Sequence, residues 1–379
     1  MENAVLAFED GSVFRGEAFG AKKTSVGEAV FDTSAFGYQE ILTDPSNYQK
    51  MMIMTFVEIG CYGINDEDSE SDGAKVAGLV VEHECKIPSN WRSKMSLGEF
   101  LEKNGVPAIA NVDTRAITVK LREKGTMKAC LSTEGISDER AVELARNWKG
   151  LDGVDIAAEV SCKAPYRFDE KHPDCAPFEL GGVHINKAQR RAPLLKCAAI
   201  DFGAPLSQLK SLAFSGFDIE VFPSSATAEQ ILKSAPACLF LSGGAGDPSA
   251  LADARKTAAE LAQKLPTLGV GLGHQILALA FGAKTFKMKF GHHGGNYPSK
   301  NVAENRTHIT AQNHSYAVDA DSLEGTGLEI AEVNLTDGTI EALRHKTLPV
   351  FSVQYNPDPA PGAANEKYVF DEFYNLAKG

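Results

Sequence analysis

Residues 265–280, LPTLGVGLGHQILALA, have the pattern of a strand, a sharp glycine turn and a helix. A turn of this kind can present a nucleophile, because the N-terminus of the following helix helps to hold a thiolate in its ionised form. The residue at the turn is Gly271, which has no side chain. The segment therefore predicts the architecture of a nucleophile site without the nucleophile.

A second glycine-rich loop, LSGGAGDP (residues 241–248), follows another apolar run in the same half of the chain. Loops at the carboxyl ends of parallel strands meet at one edge of the sheet, where two glycine loops could supply backbone N–H groups to an oxyanion. Glycines also make ordinary tight turns, and short glycine motifs often do no more than that. Spacing alone favours the tight-turn interpretation.

The elements that would position these loops follow a regular order. From about Cys197 onward, short apolar runs alternate with helix-length segments, which predicts a mainly parallel sheet flanked by helices. Thr227 and Gln230 match a capping box and predict a helix start. Before residue 150 the alternation is weaker: residues 5–20 predict a strand, a turn and a strand, and residues 136–148 predict a helix.

The fold class predicted from these patterns is α/β, with three segments. Residues 1–150 form a β-rich mixed N-terminal domain, and residues 193–379 form the C-terminal domain with the parallel sheet. Residues 151–192 hold prolines, glycines and charges without sustained periodicity, which is typical of a connector.

Composition limits the function classes for a chain of 379 residues. The net charge of −12 disfavours nucleic acid as a partner, since phosphate binding depends on clustered Lys and Arg. No apolar run approaches the roughly 20 residues of a membrane span, and the first residues do not resemble a signal peptide. Seven scattered cysteines without a C-x-x-C pair suit a reducing compartment. We therefore expect a cytoplasmic protein that binds neither nucleic acid nor membrane.

Four long motifs resemble the small subunit of carbamoyl-phosphate synthase: GYQEILTDPS (37–46), DTRAITVKLREKG (113–125), GLGHQILALAFGAKTFKMKFGHHGGN (271–296) and ITAQNHSYAVD (309–319). The resemblance implies an N-terminal domain particular to that subunit, followed by a class I glutamine amidotransferase-like domain. In the family, the second domain hydrolyses glutamine and ammonia travels to a large subunit. That subunit uses ATP and Mg to make carbamoyl phosphate for arginine and pyrimidine synthesis. The resemblance implies no cofactor or metal in the small subunit.

The catalytic triad of the family is degenerate in this sequence. The family elbow G-x-C-x-G-H-Q is GVGLGHQ here, with Gly271 at the cysteine position. The family stretch Q-G-H-P-E is QYNPD, which puts Asn356 at the histidine and Asp358 at the glutamate. Asparagine does not accept a proton near neutral pH, so both the nucleophile and the general base are missing. We expect no glutamine hydrolysis through a thioester.

The resemblance also implies a glutamine pocket that is only partly altered. Five positions that match family glutamine contacts are kept: Ser46, Gly244, Leu272, Gln275 and Asn313. Ser315 and Tyr316 stand where the family has glycine and phenylalanine. Glutamine therefore remains a weak candidate ligand.

Further departures from the family surround the triad and occur near the N-terminus. Gly243, Ala245 and Tyr355 differ from the family around the elbow, which argues against a laboratory knockout of an otherwise intact site. The segment TFVEIGCYGIND departs from Y-P-H-I-G-N-Y-G at Val57, Glu58 and Cys61. These changes leave contact with the large subunit in question.

Three functional hypotheses follow. The chain is a non-hydrolysing small subunit that supports ammonia-dependent synthesis by a large subunit, or a divergent paralogue that acts as a binding or regulatory protein outside the synthetase. The third hypothesis, an enzyme with Ser242 or Ser315 as a relocated nucleophile, has no histidine partner visible in the sequence. His274 and His314 match family positions outside the triad, and the adjacent pair His292 and His293 would point to opposite faces of a strand. We therefore expect structural histidines and no metal site.

Overall fold

The computed structural model describes residues 3–168, 193–358 and 368–379, which form two compact units. Unit 1 comprises Met1–Asp152 and Met288–Gly295, and unit 2 comprises Gly153–Lys287 and Asn296–Gly379. Part of the predicted connector, residues 153–168, belongs to unit 2, whereas residues 169–192 lie outside the described residues.

Unit 1 is built on a closed barrel with the strand order β1-β2-β8-β6-β4-β3-β9, and β5 and β7 pair separately as a short ribbon. The strands are β1 Asn3–Phe8, β2 Val13–Gly20, β3 Thr24–Asp32, β4 Lys50–Met54, β5 Glu58–Ile59, β6 Gly78–Val80, β7 His83–Glu84, β8 Pro107–Ala110 and β9 Met127–Ser132. Its helices are α1 Tyr38–Thr43, α2 Leu97–Lys103, α3 Thr114–Lys124 and α4 Asp138–Asn147. The predicted strand-turn-strand is the antiparallel pair β1 and β2, and the predicted helix is α4.

The barrel strands have a hydrophobic cluster on each face, as strand β4 shows. All five of its residues are buried. Because alternate side chains of a strand point to opposite faces, Met51 and Ile53 enter one hydrophobic cluster while Met52 and Met54 enter the other. A strand buried on both faces reads as a continuous apolar run, which explains why this half of the sequence lacks a clear alternation.

Unit 2 contains a ten-stranded sheet in the order β10-β12-β11-β13-β14-β19-β18-β17-β15-β16. The strands are β10 Tyr166–Arg167, β11 Leu195–Phe202, β12 Phe217–Pro223, β13 Cys238–Gly244, β14 Thr267–Val270, β15 Thr285–Asn301, β16 Arg306–Val318, β17 Leu328–Asn334, β18 Ile340–His345 and β19 Val350–Val353. Five neighbouring strands of this sheet are parallel, namely β12, β11, β13, β14 and β19. Beyond β19 the pairings to β18, β17 and β15 are antiparallel.

Helices cover both faces of the parallel strands, as the alternation of apolar runs and helical segments predicts. The helices of unit 2 are α5 Ala157–Val160, α6 Leu206–Phe214, α7 Ala228–Leu232, α8 Ala252–Leu261, α9 Leu272–Ala280 and α10 Tyr368–Lys378. One apolar cluster joins α6 and α10 to the sheet, and the other joins α8 and α9 to its opposite face. The predicted α/β class, with a β-rich N-terminal part, is therefore confirmed. No helix among the described residues has the length and hydropathy of a membrane span.

The capping box predicted for α7 is present. Thr227 Oγ1 accepts a hydrogen bond from Gln230 N at 3.3 Å, and Gln230 Oε1 accepts one from Thr227 N at 2.9 Å. Thr227→Ala removes the acceptor at the helix start and should lower the free energy of unfolding by about 1 kcal/mol. Urea-induced unfolding measures this loss. Thr227→Ser keeps the acceptor and is the matched control, so an equal loss in both variants would contradict the capping role.

Candidate functional site

The predicted elbow is formed by β14, Gly271 and α9. Gly271 has φ 55° and ψ −111°, and its N–H donates to Val353 O at 2.9 Å. A Cβ added there would lie 3.5 Å from Gly243 Cα and 4.0 Å from Gln354 O, which are ordinary contacts. Space is therefore available for a side chain, but the backbone conformation would strain one by about 1–3 kcal/mol. Glycine removes this strain.

A second glycine fixes where the helix after the elbow begins. A Cβ on Gly273 would lie 2.2 Å from Leu241 O, which is closer than atoms can approach. Only glycine lets the first turn of α9 pack directly on β13 at this point. The two glycine loops of the sequence therefore meet, with Gly243 close to Gly271 at the carboxyl edge of the parallel strands.

The loop after β13 is held by hydrogen bonds of its own. Ser242 is fully buried; its Oγ accepts from Phe202 N at 3.0 Å and donates to Gly243 O at 2.6 Å. Gly243 N donates to Gln208 Oε1 at 2.9 Å. The Ser242 hydroxyl is thus bound to backbone, which gives no support to Ser242 as a relocated nucleophile. The Gly243 N–H is occupied by Gln208 instead of facing a ligand.

Gln208 is a site residue that the sequence analysis missed. It lies in the first turn of α6 and is fully buried. Its Nε2 has no hydrogen-bond partner among the described residues, and a Cβ on Gly243 would come within 2.8 Å of that atom. The glycine at position 243, where the family has asparagine, therefore leaves room for Gln208. No local pattern in the sequence marks Gln208, because its role depends on the packing of α6 against the loop after β13.

The two other positions predicted to match the triad lie just beyond β19, the strand beside β14. Asn356 is half-buried, and its backbone N donates to Ala311 O at 2.9 Å. Asp358 is buried, and its Oδ1 accepts from Ser207 Oγ at 3.1 Å. The sequence analysis missed Ser207, which now supplies a hydrogen bond to the carboxylate. Because β14 and β19 are parallel neighbours, Gly271 and these residues follow the same edge of the sheet.

All but one of the positions predicted to contact glutamine lie in unit 2, where they are spread over several elements. Leu272 and Gln275 are buried on α9, Gly244 ends β13, and Asn313, Ser315 and Tyr316 lie on β16. Gln275 Nε2 donates to Tyr316 O at 2.7 Å and to Gln354 Oε1 at 2.9 Å. Gln275 therefore joins α9 to β16 and to the segment after β19.

Ser46 and Ser315 complete the predicted set. Ser46 lies in unit 1, in a short 3₁₀ helix, Pro45–Asn47, where its N–H donates to Asp44 Oδ1 at 2.8 Å. Ser315 is buried, and its Oγ has no hydrogen-bond partner in the part of the chain that the structure describes. The hydroxyl that replaces the family glycine is therefore an extra polar atom within β16.

The histidines near the elbow have structural surroundings. His274 is fully buried, its Nδ1 lies 2.8 Å from Ser352 Oγ, and burial lowers its pKa to about 3. His314 Nδ1 lies 2.8 Å from Tyr316 O, and its Nε2 lies 3.1 Å from Gln312 Oε1. Because the pKa of His274 is so low, its neutral imidazole is a weak base. These contacts favour structural roles over substitution for the missing base.

Tyr355, which replaces a glycine of the family, is fully buried in the core. Its hydroxyl lies 2.8 Å from that of Tyr368, which donates to Glu332 Oε1 at 2.9 Å. His308 Nε2 lies 3.3 Å from Oε2 of the same carboxylate. The ring beside Asn356 thus belongs to a polar network that runs from the core to the exposed side chain of Tyr368, at the start of α10.

Comparison with known proteins finds family matches in both halves of the chain and relatives that match along nearly its whole length. The family model "Carbamoyl-phosphate synthase small chain, CPSase domain" matches residues 6–131, and "Glutamine amidotransferase class-I" matches residues 198–376. The carbamoyl phosphate synthase small chain of Akkermansia muciniphila is 46% identical over 373 residues, which are 98% of this chain and 97% of that one. That of Aquifex aeolicus is 42% identical over 378 residues, covering 100% of both.

A solved structure of a glutamine amidotransferase from Thermotoga maritima also matches this chain. It is 16% identical, has a TM-score of 0.35, and covers 48% of this chain and 82% of that chain. The family match over residues 198–376 and the parallel sheet with its helices assign unit 2 to the class I glutamine amidotransferase fold.

The burial of His274 makes the stability of unit 2 depend on pH. Its pKa is about 3 in the folded chain and about 6.5 in an unfolded one, so between these values only the unfolded chain binds the proton. Stability from the neutral imidazole is complete above about pH 6.5 and is lost as the pH falls towards 3. His274→Gln should lower the slope of unfolding free energy against pH in this window by about 1.4 kcal/mol per pH unit.

Urea unfolding at several pH values measures this slope. The lost hydrogen bond to Ser352 shifts the curve of His274→Gln equally at every pH, so it does not change the slope. Burial also lowers the pKa of His345, but this side chain is only partly buried, so the comparison variant His345→Gln should lower the slope less than His274→Gln does. A slope that His274→Gln leaves unchanged would show that the imidazole is protonated in the folded chain.

Proposed function

Because the chain belongs to the family of carbamoyl-phosphate synthase small chains, we propose that it pairs with a large subunit and supports carbamoyl phosphate synthesis from free ammonia, without hydrolysing glutamine. ATP and Mg act on the large subunit in this proposal, and the synthesis requires no cofactor on the small chain. The product would supply arginine and pyrimidine synthesis in the cytoplasm. The six cysteines that the structure describes are free thiols, which fits a reducing compartment.

The observation that carries the proposal is the elbow itself. Gly271 keeps the strained turn between β14 and α9 but offers no atom that could attack a carbonyl. A thioester route needs a thiolate there and a base that takes and returns its proton. The amide of Asn356 does not do this near neutral pH. None of the six described cysteines lies after Cys238, so none stands on the elbow.

The hydrogen bonds around the elbow support the same conclusion. In a triad, the carboxylate orients the imidazole that serves as the base. Here Asp358 accepts a hydrogen bond from Ser207 Oγ, and no imidazole at position 356 requires orientation. A buried carboxylate left without donors would be costly, so the serine stabilises the folded chain without restoring catalysis.

Glutamine remains a weak candidate ligand. The kept positions Gly244, Leu272 and Gln275 lie at the same edge of the sheet, but the Gln275 amide is already bound to Tyr316 O and Gln354. Ser315 adds a hydroxyl where the family has glycine. We therefore expect glutamine to bind more weakly than it does to a small chain with an intact triad.

A divergent binding or regulatory protein is the second candidate function. Two buried polar atoms favour it: Gln208 Nε2 and Ser315 Oγ have no hydrogen-bond partner among the described residues. Such atoms cost about 1–3 kcal/mol each unless water or a ligand satisfies them. A pocket altered in this way could select a ligand other than glutamine.

Carbamoyl phosphate formation separates the two functions. The host's large subunit is assayed with and without this chain, using ammonia or glutamine as the nitrogen donor. We expect the chain to raise the rate with ammonia and to leave it unchanged with glutamine. Absence of binding and of any effect on the rate would exclude the synthetase role, and synthesis from glutamine would refute the interpretation of Gly271 and Asn356.

Reconstruction of the triad tests whether the residues at positions 271 and 356 prevent glutamine hydrolysis. Gly271→Cys should yield a thiol that reacts with electrophiles, at a stability cost of about 1–3 kcal/mol, but little turnover because the base is absent. Adding Asn356→His should raise glutamate release at least about a hundredfold over Gly271→Cys alone. Gly271→Ala carries the same backbone strain without a thiol and is the control. The proposal would be contradicted if the unaltered chain released glutamate and Gly271→Ala abolished this release.

A further inference from the structure

A short ribbon in unit 1 brings several metal-binding side chains together. Strands β5 and β7 are parallel, and Glu58 stands directly beside His83 in their register. Two backbone hydrogen bonds hold the pair: His83 N donates to Val57 O at 2.9 Å and Cys85 N donates to Ile59 O at 2.8 Å. The ribbon therefore fixes Glu58, His83 and Cys85 on neighbouring backbone segments.

The turn after β5 adds a second thiol. Gly60 has φ 108°, and a Cβ there would meet Cys85 O at 3.0 Å, so the chain passes close to Cys85. The carbonyl of Cys61 accepts from Ser89 N at 2.8 Å, which holds the backbone of this residue. As a result, a carboxylate oxygen of Glu58 and the sulfur atoms of Cys61 and Cys85 all lie within 4.8 Å of one another. His83 Nδ1 lies 3.9 Å from Glu58 Oε2.

We propose that Glu58, Cys61 and Cys85, with His83 as the fourth ligand, bind a zinc-class divalent ion. Thiolate and imidazole ligands select such ions over Mg²⁺ or Ca²⁺, which prefer oxygen. A tetrahedral ion with bonds of about 2.3 Å holds two sulfur atoms about 3.8 Å apart. The ligand atoms of Glu58, Cys61 and Cys85, all within 4.8 Å of one another, are close enough to close on an ion without breaking the ribbon. His83 would join them by a rotation of its side chain, since its Nδ1 already lies 3.9 Å from Glu58 Oε2.

The surroundings of the ribbon suit a cation that enters from solvent. Glu58, Cys61 and His83 are exposed, and Cys85 is half-buried. Glu58 and His83 also line a cavity of about 270 Å³, to which Glu17 and Glu84 add carboxylates and Lys86 an amine. Two further carboxylates near the opening favour the approach of a divalent ion.

The proposed site coincides with departures that the synthetase resemblance does not explain. Glu58 and Cys61 stand where the family motif has histidine and asparagine. These two changes lie three residues apart, and each places a metal-binding group on the same side of the ribbon as Cys85. Metal binding by this unit is independent of the state of the elbow in unit 2.

Cobalt binding tests the proposal on the untagged full-length chain, freed of metal by chelation and kept reduced. Co²⁺ bound by thiolates gives a strong ligand-to-metal charge-transfer band, and Zn²⁺ should displace it. We expect one ion per chain. Cys61→Asn and Cys85→Ser should weaken binding by more than about tenfold and reduce the band, because each removes one thiolate. His83→Ala should weaken binding while keeping both thiolate contributions.

Control variants separate loss of a ligand from loss of the fold. Cys61→Asn carries the residue that the family motif has at this position, so the ribbon should remain folded. Cys162→Ser alters a half-buried thiol of unit 2 and should leave the band unchanged. The proposal would be overturned if the unaltered chain gave no band, or if Cys61→Asn and Cys85→Ser each kept a band as strong as that of the unaltered chain. A Cys61–Cys85 disulfide in a chain that binds no ion after reduction would overturn it as well.

Discussion

The backbone conformation at residue 271 is the constraint on which the rest of the site in unit 2 depends. With φ 55° and ψ −111°, Gly271 lets β14 turn into α9 without an intervening loop. The helix can begin there because Gly273 presents no side chain to Leu241 O. Together these glycines determine where the carboxyl ends of the parallel strands meet. The shape of a nucleophile elbow is therefore a property of the fold, and the nucleophile is a separable feature of it.

Buried polar side chains hold this edge of the sheet in place. Gln275 connects α9 with Tyr316 on β16, and Ser207 donates to Asp358 across the edge. Each satisfied group avoids a desolvation cost of about 1–3 kcal/mol. Glycine at a turn of this conformation also stabilises the fold, because it carries no side chain that the backbone would strain. The hydrogen bonds of unit 2 fit a site retained for its structure.

The β5–β7 ribbon of unit 1 has a different physical basis. Its pairing comprises only Glu58 with His83 and Ile59 with Glu84, and so short a ribbon has little stability of its own. An ion held by side chains from both strands and from the turn at Cys61 would join these segments, because metal binding contributes directly to folding free energy. The two units thus differ in what shapes their sites. In unit 2 the glycines at the elbow shape the backbone, whereas in unit 1 the side chains of the ribbon would close around an ion.

The sequence by itself determined the features that depend on local spacing. The strand-turn-helix around Gly271, the capping box at Thr227 and the parallel α/β part of the sheet all follow from periodicity and turn chemistry. The absence of a side chain at position 271 follows from residue type alone. The antiparallel strands beyond β19 were not predicted, because strand and helix no longer alternate after α9. Only the tertiary structure decided that Gln208 lies against the loop after β13 and that Ser207 binds Asp358. These last two residues are 151 positions apart, so no local pattern can encode a contact that the packing of α6 creates.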